Sequence, residues 1–221
     1  MVIYEDKNLC AINKPFGLAV QGGTNIQNSV DSLFRKAFPD ADYKLVHRLD
    51  KNTSGVLVLA KNAKTAAELT KRFKERNVTK TYWALTKNVP NPAEGTIRLR
   101  IRKGVDAHDK EKMVADPKNG DRAETDYRVI ESLGKKLAWV ELVPLSGRKH
   151  QLRVHANAIE CPIVGDGKYG GALSMVEGID KKMHLHARAI KLDQLFGKNI
   201  LVEAELPEHM KKSWKFLGFE Q

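Results

Sequence analysis

The order in which apolar runs follow one another constrains this chain most. Runs of strand length recur at Leu9–Asn13, Val56–Ala60, Thr79–Thr86, Gly95–Arg102, Ala123–Ile130, Leu137–Val143 and Ile200–Ala204. Segments of helical period interrupt them at Ser29–Phe38, Lys64–Arg76, Arg148–Ile159 and Pro207–Leu217. A parallel sheet needs a crossover helix between neighbouring strands, so strands and helices would alternate regularly. They do not. The pattern predicts an α+β fold, with a mixed, mostly antiparallel central sheet and flanking helices.

The runs differ in what they bury. Gly95–Arg102 sets Ile97, Leu99 and Ile101 against Arg98, Arg100 and Arg102, the period of a half-buried strand. Val56-Leu57-Val58-Leu59-Ala60 has no polar alternation and predicts a strand covered on both faces. Ser29–Phe38 places Val30, Leu33, Phe34 and Ala37 on one helical face behind a cap at Asn28 or Ser29. Lys64–Arg76 buries Ala66, Leu69 and Phe73 and leaves Lys71, Arg72, Lys74 and Arg76 outside. Residues 102–121 are polar and charged and predict an exposed, mobile insertion between strands.

Charge narrows the partners. Lys plus Arg is 38 against 27 Asp plus Glu, a formal net charge of +11. Such an excess points to a polyanion, either nucleic acid or an acidic membrane. No apolar run approaches the ~20 residues of a membrane-crossing helix. The opening Met1-Val2-Ile3-Tyr4-Glu5-Asp6 is acidic and lacks the pattern of a secretory signal. The two cysteines, Cys10 and Cys161, lie far apart and read as small core residues in a reducing compartment. These features predict a cytoplasmic, nucleic-acid-facing protein without a membrane partner.

Three segments concentrate chemistry. Lys44-Leu45-Val46-His47-Arg48-Leu49-Asp50-Lys51-Asn52-Thr53-Ser54-Gly55 sets an acid among basic groups just before a buried strand. A loop held by such a scaffold can aim a carboxylate, although a solvated turn with a surface ion pair has the same composition. Leu145-Ser146-Gly147-Arg148-Lys149-His150-Gln151-Leu152-Arg153-Val154-His155 crowds basic and amide side chains at a helix start, where free N–H groups also favour anions. The spacing of His150 and His155 turns them to different helix faces, so zinc ligation is not expected. Lys80-Thr81-Tyr82-Trp83 forms the third, with Lys80 and Tyr82 on one strand face and Trp83 a core aromatic on the other.

His47-Arg48-Leu49-Asp50-Lys51-Asn52-Thr53-Ser54-Gly55 closely resembles the signature of RluA-type RNA pseudouridine synthases. The resemblance extends to Asn13-Lys14-Pro15-Phe16-Gly17, Lys80-Thr81-Tyr82, Gly147-Arg148-Lys149-His150-Gln151-Leu152-Arg153-Val154-His155 and Gly165-Asp166, in the family's order, over about residues 3–206. Ser146 stands where threonine is more usual, and Asn52 where aspartate is common. Neither touches the expected chemistry. Many relatives carry an N-terminal RNA-binding module of the S4 type. The chain starts too close to Asn13-Lys14-Pro15 to hold one, so a single catalytic domain over residues 1–221 is expected.

The resemblance implies the pseudouridine synthase fold, with a catalytic cleft, and the isomerisation of uridines in structured RNA. Ribosomal RNA of the large subunit is the first expectation and transfer RNA the second. The reaction detaches uracil, turns it and reattaches it through carbon, so it needs no cofactor. No dinucleotide fingerprint, phosphate-binding glycine loop or metal cluster is present in the sequence. The resemblance assigns the catalytic carboxylate to Asp50, as nucleophile or as base toward the sugar. It pairs Arg148 with Asp50 and gives Tyr82 the pocket wall and a share in removing the C5 proton. Arg48 fills the gap left by a flipped base. His47, Leu49, Thr53, Lys80, Lys149, His150, Gln151, Leu152 and Arg153 complete the expected RNA-binding set. Phosphate contacts are expected from Arg72, Lys74, Arg76, Lys80, Arg98, Arg100 and Arg102, and a monomer is expected. Two rivals remain at this point. One is a non-catalytic basic RNA-binding or ribosome-assembly factor, which has no use for a buried acid. The other is a nuclease using His47 with Asp50, which lacks both a second carboxylate cluster and a triad.

Overall fold

The computed structural model describes residues 1–23, 26–106 and 111–220. Its first half runs β1 (Val2–Glu5), β2 (Leu9–Lys14), α1 (Val30–Ala37), β3 (Lys44–Leu45), β4 (Ser54–Ala60), α2 (Ala63–Glu75) and β5 (Thr79–Lys87). Then come β6 (Glu94–Val105), β7 (Glu111–Ala115), β8 (Asp121–Leu133), β9 (Leu137–Pro144), α3 (Gln151–Ala158), β10 (Leu185–Leu195), β11 (Lys198–Glu203) and α4 (Glu208–Leu217). The α+β fold expected from the run order is the one observed. Two compact units divide the chain: Met1–Lys80 with His186–Glu208, and Thr81–Leu185 with His209–Gln221.

The first unit is built on β4, which is buried at every position, as a run without polar alternation requires. β2 pairs with β4 antiparallel, β10 joins β4 in parallel, and β1, β3 and β11 extend the layer. Leu9, Ala11, Val56, Val58, Ile190, Leu192 and Val202 form one core with Leu69 of α2. Burying a side chain of this size contributes roughly 1.5–3 kcal/mol. Asn62 caps α2 by accepting the Thr65 N–H at 2.8 Å. At its far end Arg72 donates to the Asp193 and Gln194 carbonyls at 2.6 and 3.1 Å and to Glu68 at 2.6 Å. Arg72, expected on phosphate, here pins α2 to the end of β10 through these bonds. Ser29 and Ser32 form a reciprocal cap on α1, so the expected cap position is met.

The second unit is an antiparallel sheet in the order β5-β9-β8-β6-β7. Ile97 and Ile101 of β6 are buried, and Arg98, Arg100 and Arg102 face outward, as their alternation predicts. Segment 102–121, expected as an exposed insertion, carries strand structure. β6 runs on to Val105 and β7 returns along it, pairing Met113 with Lys103; residues 107–110 lie outside the described residues. A small apolar anchor explains this order. Met113 packs with Ile101, Ala123, Val154 and Tyr169, hidden within charged sequence. Trp139 meets Trp83 and Trp214 edge-on at 4.6 and 5.5 Å between ring centres, so half-buried Trp83 packs against the aromatic core. Cys10 and Cys161 are buried free thiols, each pushed up to about 11 by burial.

Candidate active site

The Asp50 loop joins β3 to β4 and is fixed from below by groups in its own unit. The His47 ring stacks on Phe73 at 4.5 Å, and its Nε2 accepts the Val58 N–H at 2.9 Å. That bond requires a neutral ring. The lack of water around it pushes the ring down to about 3, with the Lys80 ammonium adding to the shift. Leu49 is buried, and the Thr53 N–H closes a turn on the Asp50 carbonyl at 3.0 Å. Thr53 and Ser54 are buried in turn, and Ser54 Oγ meets His186 Nδ1 at 2.9 Å. Gly55 ends the signature for a steric reason. Its φ is +109°, in the region that favours glycine, and a Cβ there would sit 2.2 Å from the Ala187 carbonyl oxygen of β10. Asp50 and Arg48 emerge from this scaffold, Asp50 half-buried and Arg48 exposed.

Lys14 is the residue that sequence reasoning missed. It is fully buried at the end of β2. Its ammonium donates to the carbonyls of Pro15, Leu18 and Lys51 at 3.1, 2.8 and 3.2 Å. The Lys51 carbonyl also accepts the Gly17 N–H at 2.9 Å. Burial pulls the lysine down to about 8, and the Asp50 carboxylate opposes that fall. Lys14 therefore ties the residue after Asp50 to the end of β2 and lends positive potential beneath it. The available signal was a lysine closing the otherwise mostly apolar run Leu9-Cys10-Ala11-Ile12-Asn13.

The second cluster belongs to the other unit. α3 starts at Gln151, three residues later than expected, because His150 sits at φ +54° and breaks the helical path. Gln151 is buried and does not point a free amide at substrate. Its Oε1 accepts from Ser146 Oγ at 2.7 Å and from the Arg148 N–H at 3.0 Å. Its Nε2 donates to the Glu124 carbonyl and Thr125 Oγ1 at 2.8 and 2.9 Å. Gln151, expected among the RNA-binding residues, thus holds the Ser146–Arg148 turn on β8. Leu152 is likewise buried. His150 Nδ1 meets Tyr169 Oη at 2.8 Å. His155 is fully buried, neither ring nitrogen has a hydrogen-bond partner among the described residues, and burial holds it down at about 4.

The two arginines of this cluster behave oppositely. Arg148 is an exposed side chain, 3.4 Å from Asp121 and 3.4 Å from the Arg122 carbonyl. Arg153 is shielded and makes a two-pronged pair with buried Asp166, at 2.7 and 2.6 Å. Lys149 is exposed and paired with Glu111. On β5, Tyr82 is half-buried opposite Leu142. Lys80 is half-buried, and desolvation, then Arg76, lowers its ammonium below the usual lysine range. The first unit thus gathers Lys14, His47, Arg48, Leu49, Asp50, Thr53 and Lys80, and the second carries Tyr82 and the Arg148–Arg153 segment.

Known proteins resemble this chain over most of its length. A family model described as RNA pseudouridylate synthase matches residues 8–158. Ribosomal large subunit pseudouridine synthase C of Rickettsia bellii (strain RML369-C) is 45% identical over 96% of this chain and 70% of its own length. The mitochondrial pseudouridylate synthase RPUSD4 of Rattus norvegicus is 34% identical, over 99% of this chain and 69% of its own. Among solved structures, human RNA pseudouridylate synthase domain containing 4 superposes with a TM-score of 0.81 at 32% identity, covering 100% of this chain and 94% of that one. With its signature loop, its fold and these relatives in agreement, the chain belongs to the RNA pseudouridylate synthase family.

Proposed function

We propose that this protein isomerises uridines of large-subunit ribosomal RNA, with Asp50 as the catalytic carboxylate. The observation that carries the reading is the Asp50 loop itself: an acid held at the tip of a loop by buried Lys14 and neutral His47, in a chain whose Rickettsia relative is named for the large ribosomal subunit. Transfer RNA is the second substrate. Both compact units act as one catalytic domain; the family match over residues 8–158 draws on each. A cytoplasmic monomer without cofactor completes the reading.

In the proposed reaction Asp50 acts on the ribose of a flipped uridine, as nucleophile or base, while the C–N glycosidic bond breaks. Uracil turns, C5 bonds to the sugar, and the C5 proton leaves. Tyr82 lies against the base and helps take that proton. Arg148 supplies positive charge to Asp50, and Arg48 fills the space the flipped base leaves. Lys80, Lys149, His150 and Arg153 support the bound strand. The nuclease reading loses its acid, because His47 is neutral down to about pH 3 and spends Nε2 on the Val58 amide.

The test is release of tritium from C5-labelled uridine in transcribed, unmodified large-subunit ribosomal RNA. Wild type should release label, and Asp50→Asn should lose at least ~10³-fold in rate while keeping its thermal midpoint. Binding without release by wild type would instead favour a binding factor, and strand cleavage a nuclease. Transfer RNA in a parallel reaction decides between the two substrates.

A further inference from the structure

Strand β6 exposes Arg98, Arg100, Arg102 and Lys103, and one side chain ties the β6–β7 pair to the helix start. Tyr169 Oη receives the Met113 N–H of β7 at 3.2 Å and meets His150 Nδ1 at 2.8 Å. A phenol can accept the first bond and donate the second only if His150 is neutral with its proton on Nε2. The ring is nearly buried, with the Arg153 guanidinium and the Lys112 ammonium 4.9 and 5.1 Å from its centre. Asp166, which locks Arg153, also accepts the Tyr169 N–H at 3.3 Å. Glu111 adds two outer ties from β7, to Lys149 and, through its carbonyl, to Lys168.

A surface hairpin needs none of this. Ile101 and Met113 already anchor it in apolar contact. The hydroxyl instead couples β7 to His150, the residue at φ +54° from which α3 starts and beside which Lys149 and Arg148 project. Surrounding contacts must over-determine such a conformation. Tyr169 is the contact that does so from the hairpin side.

We propose that Tyr169 is a positioning residue for RNA: it sets the basic β6–β7 pair and the Arg148–His150 turn in one fixed arrangement, so that both meet the same RNA. The partner is a folded RNA whose phosphates span the two cationic segments. The proposal rests on the RNA-isomerase reading above for its kinetic readout, but not for its structural one. Losing the hydroxyl loosens grip on RNA and leaves the chemical step alone.

Tyr169→Phe keeps the ring and both cation contacts and removes only the two hydrogen bonds. With the labelled large-subunit transcript, KM should rise about tenfold and kcat stay within about twofold. The slope of binding against salt should become shallower by about one contact. Amide exchange at Glu111–Ala115 should speed up about tenfold with the thermal midpoint nearly kept. A fall in kcat at unchanged KM, or unchanged KM with unchanged exchange in β7, would overturn the proposal. If wild type released no label, the isomerase reading would fail, while exchange and the salt slope would still decide on Tyr169.

Discussion

The loop that carries Asp50 and the turn that carries Arg148 both precede a buried element, yet different bonds hold them. Under Asp50 the fastenings are inward and nearly charge-free: a neutral imidazole on a backbone amide, a tight turn, and a lysine whose donors all go to carbonyls. None of the three uses a carboxylate as its partner. Around Arg148 the Gln151 hub and the His150–Tyr169 contact are inward, but Arg148 and Lys149 themselves meet exposed carboxylates. Those outer pairs are weak in water and exchangeable for phosphate. One region is built to keep its geometry and the other to trade partners.

The sharpest way to break this contrast is to compare Arg153 with Arg148. Arg153→Ala strands buried Asp166 without its counter-ion, and its stability should fall by roughly 3–5 kcal/mol in chemical denaturation. Arg148→Ala removes an exposed pair and should cost less than about 1 kcal/mol. Its activity is then informative: a folded Arg148→Ala protein with a deep loss of kcat supports its proposed action on Asp50, whereas a rise in KM alone reduces it to an RNA contact.

Lys14→Met probes the other region. Methionine fills the space without charge but takes this donor from the Pro15 and Leu18 carbonyls, while the Lys51 carbonyl keeps the Gly17 N–H. Each buried orphan costs about 1–3 kcal/mol, and relief of the buried ammonium offsets part of that, for a net loss of roughly 2–4 kcal/mol. Because Lys51 follows Asp50, kcat should fall more than KM rises. A stable variant of full activity would show that the loop holds without this clamp.

How far these differences could be read from sequence depends on what each residue hides. β4 and β6 were legible because their periods are uninterrupted. β10 was not: His186, Arg188, Lys191 and Asp193 break its apolar pattern, and His186 is buried on the strength of hydrogen bonds to Ser54 and the Ala204 carbonyl. β7 was lost for a similar reason, since Met113 is its one buried member. The Asp50 signature marked the loop correctly, but side-chain type could not separate His47 and Gln151, which serve the scaffold, from Arg48 and Lys149, which face solvent. Lys14 was invisible because a lone lysine at a strand end is ordinarily a solvated one.

Acid should strike the second unit through its buried histidines. His155 and His184 are both held down at about 4 by burial. A folded value below the unfolded one, near 6.5, means that the unfolded chain binds the proton more readily. The stabilisation is therefore complete above about pH 6.5 and shrinks as pH falls toward 4. Each such group should remove roughly 2 kcal/mol between pH 7 and pH 5. His155→Leu deletes one of them without stranding a partner, so its loss across that range should be smaller by about that amount. An unchanged pH dependence would mean that His155 is not carried into the fold as a neutral ring.

The smallest effect on the fold, and the most direct test of partner exchange, belongs to β6. Without RNA, Arg98 meets Glu124 at 2.7 Å, Arg100 donates to the Gly120 carbonyl at 2.8 Å and Arg102 meets Asp116 at 2.5 Å. Arg98 is the most exposed of the pairs' two arginines, at 71% of its side chain, so it gives up least on leaving Glu124. Arg98→Ala should change stability by no more than about 0.5 kcal/mol. If the arginine moves to phosphate, the plot of log affinity against log salt should become shallower by about 0.7–0.9, the share of one phosphate contact. Glu124→Gln should act the other way, freeing Arg98 and tightening binding at low salt. If neither substitution moves the slope or the affinity, β6 presents its charge to water, and the exchangeable pairs that take up RNA lie at Arg148 and Lys149 alone.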